Sequence, residues 1–281
     1  MSSNHQKFLE SLESARKHFE RKAYKNARLM YFQAMNFAEE SENKAIIWAE
    51  VSWVYFYEKA FEEAIEAAEN VLLHDPSYRA RDDIYRVQGY AYIALGNKAM
   101  AERLLHLSLD ENNSDEKQQY VKYELGKLYF TQGNYDLADP FFKEILLHFQ
   151  EKTPEYRWSI LFYLGFIAYY LKNEKQSREF FKRILADNPP AQRQASAKFG
   201  LAFLEFQQKN YLNVITLCEE ILSMDKNFFD KESVGFLTAA SYFYLGRRDI
   251  FDAYYIKMKE SYPEGRYNAD LDRLQSGSHP G

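Results

Sequence analysis

The residues that could carry out metal or acid–base chemistry are few in this sequence and are spread along it. Its six histidines include no pair with metal-ligand spacing on one helix face, and the zinc-binding pattern HExxH is absent. His74 and His148 stand at equivalent places near the ends of predicted helices, where a cation interacts favourably with the helix dipole. We therefore interpret the histidines as structural or solvated, and we predict no metal site.

Nucleophilic and phosphate-binding chemistry also lacks the residues it needs. The single cysteine, Cys218, occupies a place that large apolar residues occupy at regular intervals elsewhere, which favours a small buried residue over a nucleophile. The segment Leu95-Gly96-Asn97-Lys98 does not have the P-loop pattern. The adjacent pairs Glu39-Glu40 and Glu219-Glu220 point in different directions around a helix and read as solvated. These residues predict neither an enzyme nor a cofactor.

Composition and charge exclude further classes of protein. The chain has 281 residues with 36 Lys+Arg against 41 Asp+Glu, and this net charge of −5 lacks the basic excess of nucleic-acid-binding proteins. The longest apolar run, Ile160 to Leu171, has twelve residues, whereas a membrane span needs roughly 20. Residues 1–7 are polar, and no signal-peptide pattern follows them. We expect a cytoplasmic protein, although a signal already removed from the N-terminus would leave no trace.

The sequence repeats itself with a period of about 37 residues. Small residues recur at Ala27, Ala64, Ala101, Ala138 and Ser177. Large residues follow them four places later as Tyr31, Leu105, Phe142 and Phe181. Extending this frame gives seven repeats that start near residues 8, 45, 82, 119, 158, 195 and 232. A fixed period of this length predicts stacked supersecondary units.

Each repeat contains two apolar patterns of helical period with a break between them. In the fourth repeat, Leu125, Leu128 and Tyr129 form one stripe, and Gln132-Gly133-Asn134 interrupts it. We predict an all-α, right-handed solenoid of fourteen repeat helices over residues 8–265. Residues 1–7 are expected to form a polar extension. Residues 266–281 are expected to form a C-terminal cap that carries Tyr267, Leu271 and Leu274, followed by a flexible tail from Ser276.

The repeat pattern resembles the tetratricopeptide repeat (TPR), a helical hairpin of 34 residues that is about 37 long here. The match covers residues 8 to about 265, with departures such as Glu205 and Phe251. The family's small residue at repeat position 8 is matched by Ala15, Gly89, Gly126, Gly165, Ala202 and Ala239, and its Tyr at position 11 by Tyr55, Tyr92, Tyr129 and Tyr242. Its Ala at position 20 is matched by the column of small residues that begins at Ala27, and its Pro at position 32 by Pro76, Pro189 and Pro263.

The resemblance implies that the first helix of each hairpin lines a concave groove and presents positions 5, 9 and 12 to it. From these positions we predict a partner-binding groove lined by Trp53, Arg86, Tyr90, Tyr123, Lys127, Phe162, Phe166, Tyr169, Phe199, Phe203, Phe206, Phe236 and Phe243. Position 12 is large and apolar in every repeat, which favours packing there over recognition. For the aromatic residues of the last three repeats, a binding surface and burial by tighter curvature are equally weighted alternatives.

The leading functional interpretation is a non-enzymatic scaffold that binds a peptide or helix of a partner protein and helps to assemble a complex. The cations Arg16, Arg86 and Lys127 would then orient an acidic part of the partner. No repeat has the Lys and Asn pair with which co-chaperone members of the family grip a terminal carboxylate. The alternative is a peptide-responsive regulator of another protein, and association of two copies of the chain also stays open.

Overall fold

The computed structural model describes residues 3–111, 115–149 and 153–277, and all regular secondary structure in these ranges is helical. No helix within them is long and apolar enough to cross a bilayer. The helices are α1 (Ser3–Glu20), α2 (Tyr24–Met35), α3 (Ser41–Glu58), α4 (Phe61–His74), α5 (Arg81–Ala94), α6 (Lys98–Glu111), α7 (Asp115–Thr131), α8 (Tyr135–Leu146), α9 (Pro154–Tyr170), α10 (Glu174–Ala186), α11 (Ala191–Gln207), α12 (Tyr211–Met224), α13 (Lys231–Tyr244), α14 (Arg248–Ser261) and α15 (Asn268–Gln275).

The first fourteen helices form the seven hairpins that the sequence predicts, so the all-α repeat fold is confirmed. The first helix begins earlier than expected. Residues 3–7, predicted to be a polar extension, form the start of α1. All five are exposed, so their polarity reflects contact with water and not the absence of a helix.

The hairpins are divided between two compact units, Met1–Leu128 and Tyr129–Gly281, and the division falls within α7. In the N-terminal unit, one buried cluster includes Phe8, Tyr31 and Val54. In the C-terminal unit, a cluster that includes Phe251 and Leu271 joins the last hairpin to α15. Each unit therefore has an apolar core of its own.

Small residues let the two helices of a hairpin approach closely. Ala27, Ala64, Ala101, Ala138 and Ser177 are all fully buried. The Ser177 hydroxyl of α10 donates a hydrogen bond of 2.8 Å to the backbone carbonyl of Gly165 on α9. A Cβ on Gly165 would lie 2.6 Å from the ring of Phe181, and one on Gly200 only 2.1 Å from it. A small residue on one helix therefore makes room for a large one on the other.

Every hairpin turns through a residue in the left-handed backbone conformation at repeat position 15. These residues are Lys22, Lys59, Gly96, Gly133, Lys172, Lys209 and Gly246, with φ between 60° and 78°. In the first turn, the Lys22 N–H bonds to the Phe19 carbonyl at 2.8 Å and the Ala23 N–H to the His18 carbonyl at 2.9 Å. The same two bonds recur at equivalent residues in the other six turns. This Schellman motif satisfies the last carbonyls of each first helix.

The chain after the seventh hairpin continues into the short helix α15, which covers the end of the last hairpin. Leu271 and Leu274 are buried against it. The Arg248 guanidinium donates hydrogen bonds to the carbonyls of Leu274 at 3.2 Å and Gln275 at 2.6 Å. Tyr267 precedes α15, and its ring stacks on Phe236 at 4.2 Å. Residues 278–281 of the predicted tail lie outside the described residues.

Glu205 is a carboxylate at repeat position 11, where the TPR pattern has Tyr. It is buried within the hairpin of α11 and α12 and receives hydrogen bonds from Arg178 at 2.5 Å, Asn210 at 2.9 Å and Asn213 at 3.2 Å. Burial raises the pKa of this carboxyl, but the three hydrogen bonds favour its charged form and outweigh burial. The pKa of Glu205 therefore lies below its ordinary value.

The recurring turn predicts opposite effects for two substitutions at position 15. Gly96→Ala should lower the free energy of unfolding by about 1 kcal/mol, because an L-residue is strained at this φ and no neighbouring atom lies near the added methyl. Lys59→Gly should raise the free energy of unfolding by up to about 1 kcal/mol, because glycine adopts this φ without strain. The greater conformational entropy that glycine gives the unfolded chain reduces this gain. Urea unfolding followed by circular dichroism measures both. Lys182→Gly, in the middle of α10, is the control and should destabilise. If Lys59→Gly also destabilises, the turn contributes no strain.

The buried carboxylate predicts a change in stability with pH. Because the folded-state pKa of Glu205 is depressed, its ion pair contributes stability above the unfolded-state pKa of about 4.3 and loses it as the pH falls through the folded-state value. Glu205→Gln should therefore be less stable than the parent by about 1–2 kcal/mol near pH 7, and the difference should shrink below about pH 4. Glu179→Gln, at an exposed site on α10, is the control. A Glu205→Gln difference that does not vary with pH would contradict this assignment.

Candidate partner-binding surfaces

The cations predicted to line the groove of the N-terminal unit are held by acidic side chains of the chain itself. The Arg16 Nε lies 2.9 Å from Oε1 and 3.0 Å from Oε2 of Glu50 on the next repeat. The Tyr31 hydroxyl donates a hydrogen bond of 2.6 Å to the same carboxylate. Burial and this bond to Glu50 raise the pKa of Tyr31, so the phenol stays neutral. Arg16 is therefore part of a link between hairpins.

The second predicted cation, Arg86, belongs to a cluster centred on Asp83. The Asp83 carboxylate pairs with Arg86, lies 3.6 Å from Lys117 Nζ and accepts a hydrogen bond of 2.8 Å from the Trp53 indole N–H. The guanidinium of Arg86 also lies over the Trp53 ring, 4.8 Å from its centroid. The Tyr90 ring stands edge-on to Trp53 at 6.2 Å. The structure thus brings Trp53, Arg86 and Tyr90 together, and Asp83 neutralises the cation.

The third predicted cation, Lys127, follows the same pattern. Its ammonium lies 2.8 Å and 3.0 Å from the two carboxylate oxygens of Glu124 and 5.2 Å from the centroid of the Tyr123 ring. All three predicted cations of this unit therefore have a carboxylate partner within the chain itself. Glu124 and Asp83 each stand three residues before the cation they neutralise, and that helical spacing was available in the sequence. Glu50, on a neighbouring repeat, gave no such signal.

In the C-terminal unit, the eight aromatic residues predicted on the first helices are here called the aromatic strip, and the five members on α9 and α11 that precede Phe206 form one set of contacting rings. The strip consists of Phe162, Phe166, Tyr169, Phe199, Phe203, Phe206, Phe236 and Phe243. Neighbouring first helices touch through it, with ring centroids 5.9 Å apart for Phe166 and Phe199 and also for Tyr169 and Phe203. The strip therefore joins α9 to α11 through side chains.

Two members of the aromatic strip are core residues and not groove residues. Phe166 is 6% exposed and Phe199 is 4% exposed. The Phe166 ring lies 5.2 Å from that of Phe181, and the Phe199 ring lies 5.1 Å from that of Phe228. These contacts leave neither ring available to a partner, which corrects the prediction for both. The other six members of the strip are half-buried, so each keeps part of its ring at the surface.

Position 12 packs adjacent hairpins together, as the sequence analysis favoured. The Phe206 ring contacts Tyr211 at 5.8 Å, and Tyr211 stacks on Tyr244 of the next repeat at 5.0 Å. The same triad recurs within each compact unit, as Phe130, Tyr135 and Tyr170 and as Phe19, Tyr24 and Tyr57. Of the predicted groove residues, Phe206 therefore has a structural role.

The loop between α12 and α13 adds two aromatic residues that the sequence analysis missed. Phe228 is buried, whereas Phe229 is 66% exposed. The Phe229 ring lies 5.8 Å from that of Phe199 and 6.2 Å from that of Phe162. The predicted groove positions all lie on the first helices of the repeats, so they did not include these two loop residues. The adjacent Phe-Phe in a segment between two predicted helices was the signal that could have revealed it.

A cavity of about 260 Å³ opens beside Phe229 at one end of the aromatic strip. Its walls come from α9, α10, α11 and the loop after α12. The lining residues are Trp158, Ser159, Phe162, Tyr163, Ile184, Arg193, Ser196 and Phe229. The Trp158 indole N–H donates a hydrogen bond of 3.0 Å to Asp187, which fixes the ring at the wall. The cavity thus has four aromatic residues in its wall, together with one guanidinium and the hydroxyls of Ser159, Ser196 and Tyr163.

The single thiol of the chain packs in the core. Cys218 is 1% exposed, and burial raises the pKa of its thiol to about 11, so it is an apolar core residue as predicted. In the described ranges, no three His, Cys, Asp or Glu side chains come together as a metal site.

Comparison with solved protein structures identifies the fold. No family model matches the sequence, and no curated protein sequence matches it. Among solved structures, a tetratricopeptide repeat protein from Parabacteroides merdae is similar with a TM-score of 0.63 and 16% identity, over 97% of this chain and 99% of that one. RapI in its apo form is similar with a TM-score of 0.62 and 19% identity, over 92% and 99%. YrrB, a TPR protein with an unusual peptide-binding site, is similar with a TM-score of 0.53 and 14% identity, over 65% and 87%. The hairpins, their turns and these similarities together show that this chain has the tetratricopeptide-repeat fold.

Proposed function

We propose that this chain is a non-enzymatic scaffold that binds a peptide or helix of a partner protein on its C-terminal unit and helps to assemble a complex. The observation that carries the proposal is the exposed Phe229 ring, which stands beside the half-buried Phe162 at the mouth of an aromatic cavity. Apolar surface in contact with water costs about 25 cal/mol per Å². A partner side chain that covers Phe229 and enters the cavity recovers part of that free energy.

The form of the surface favours a segment of protein over a small molecule. The cavity is smaller than the roughly 300–1,000 Å³ of small-molecule sites, so it suits one or two side chains. Phe203 and Tyr169 continue the ring surface along the unit and offer further contacts. An amphipathic helix or extended peptide with several apolar anchors matches such a row. The similarity to YrrB, which has a peptide-binding site, is consistent with this use of the fold.

The N-terminal unit is proposed as a second, more polar contact region. Trp53, Arg86, Tyr90, Tyr123 and Lys127 would contact the partner through aromatic faces and hydrogen bonds. Because Arg86 and Lys127 are paired with acids, they add little net charge to that contact.

Selection of peptides from a displayed library of random 16-residue sequences tests the proposal. We expect the whole chain to enrich sequences with at least two apolar anchors. Phe229→Ser should weaken the selected peptides about tenfold, which corresponds to 1.4 kcal/mol, because it removes the exposed ring that an anchor covers. Binding can be measured by fluorescence polarisation of the labelled peptides.

Leu212→Ser is the matched control, because Leu212 is 69% exposed on α12 and lies outside the aromatic strip. It should leave the affinity unchanged. No enrichment over an uncoated support would contradict the proposal, and so would equal losses in Phe229→Ser and Leu212→Ser. Light scattering of the chain alone shows whether a second copy occupies the surface, since a dimer that Phe229→Ser dissociates would replace the peptide as occupant.

A further inference from the structure

We propose that the cavity beside Phe229 selects a partner segment in which an acidic side chain neighbours an apolar anchor, and that Arg193 binds the carboxylate. This inference rests on the proposed function and names the chemistry of its partner. The apolar anchor enters between Trp158, Phe162 and Phe229, and the carboxylate meets the guanidinium at the wall.

The guanidinium of Arg193 has no ion pair or hydrogen bond within the ranges that the structure describes, although it lines a cavity and is half-buried. The nearby Arg157 shows the usual alternative, because it pairs with Asp187 at 2.6 Å. Asp187 also accepts the Trp158 indole N–H, so it is already committed to two partners. A half-buried cation without a counter-charge is unfavourable, and an incoming carboxylate provides that charge.

The position of Arg193 on its helix strengthens the case for an anion. Arg193 is the third residue of α11, where the positive end of the helix dipole disfavours a cation. No acidic residue lies in this first turn, and Pro190 at the N-cap offers no side-chain hydrogen bond. The side chain of Gln194 bonds instead to the Pro189 carbonyl at 2.8 Å. The guanidinium and the N-terminus of α11 are therefore both positive, and both favour a bound negative charge.

The other polar groups of the cavity indicate a single carboxylate and not a phosphate. The hydroxyls of Ser159 and Ser196 donate to the carbonyls of Glu155 at 2.9 Å and Gln192 at 3.0 Å, so they are not free to donate to an anion. A phosphate group has more acceptor oxygens than one guanidinium can satisfy, whereas a carboxylate matches its two parallel N–H donors. The remaining wall consists of four aromatic rings, one of them the phenol of Tyr163, and Ile184, and its apolar surface suits the anchor.

Two capped peptides that differ in one group provide the test. The probes are acetyl-Leu-(4-fluoro-Phe)-Glu-Leu-amide and its Gln analogue, titrated into the whole chain and followed by ¹⁹F NMR. Both lack a free terminus, so the Glu side chain is the only carboxylate. We expect the Glu probe to bind about tenfold more tightly than the Gln probe. Arg193→Gln should abolish that preference and leave the affinity for the Gln probe unchanged, and Arg193→Lys should restore part of it.

Arg103→Gln is the charge-matched control, since Arg103 is an exposed residue of the other compact unit, and it should keep the full preference. Phe229→Ser should weaken both probes by the same factor. Equal affinity of the two probes for the parent chain overturns the inference, as does a preference that survives Arg193→Gln. Displacement of the Glu probe by millimolar inorganic phosphate also overturns it, because the site would then bind anions generally. If library peptides still require Phe229 while the probes show no acid preference, the proposed function stands and this inference fails.

Discussion

The close approach of the two helices in each hairpin is the constraint on which the rest of this structure depends. The contact is near enough for the Ser177 hydroxyl to reach the Gly165 carbonyl and for Phe181 to fill the space beside Gly165 and Gly200. Small residues on one helix must then be matched by large ones on the other, since interiors tolerate neither voids nor overlap. The same pairing recurs in other repeats, as for Gly89 with Leu105 and Gly235 with Met258, and it contributes to the 37-residue period.

Packing between hairpins determines which aromatic rings are left at the surface. Three triads, of which Phe206, Tyr211 and Tyr244 are one, each join a repeat to the next. Phe166 and Phe199 are buried, whereas Phe229 is exposed in a loop in which the residue before it, Phe228, is buried. The candidate binding surface is therefore what remains of a structural ring network after its internal contacts are made.

The sequence was sufficient to predict the fold, because the columns of small and large residues report contacts that every repeat must make. It predicted the candidate site less well. The burial of Phe166 and Phe199 depends on the distance between first helices and on Phe228, which lies outside the periodic frame. The neutralisation of Arg16 by Glu50 joins residues 34 positions apart, and periodicity carries no information about such a pair. Only the ion pairs within one helix turn, such as Asp83 with Arg86, could be predicted from residue spacing.

The fold was easier to predict than the candidate site, and this indicates where specificity arises in a repeat protein. A residue type that appears in every repeat answers a need that every repeat shares, and that need is packing. A partner, by contrast, contacts a few repeats and must be distinguished by features that the others lack. The C-terminal unit has two such features side by side, the exposed Phe229 in an inter-helix loop and Arg193 in the first turn of α11. Both depart from what local stability favours, since the ring is exposed to water and the cation belongs to the first turn of a helix. The recognition of a partner that we propose would give each departure a physical reason, which packing within the repeat does not.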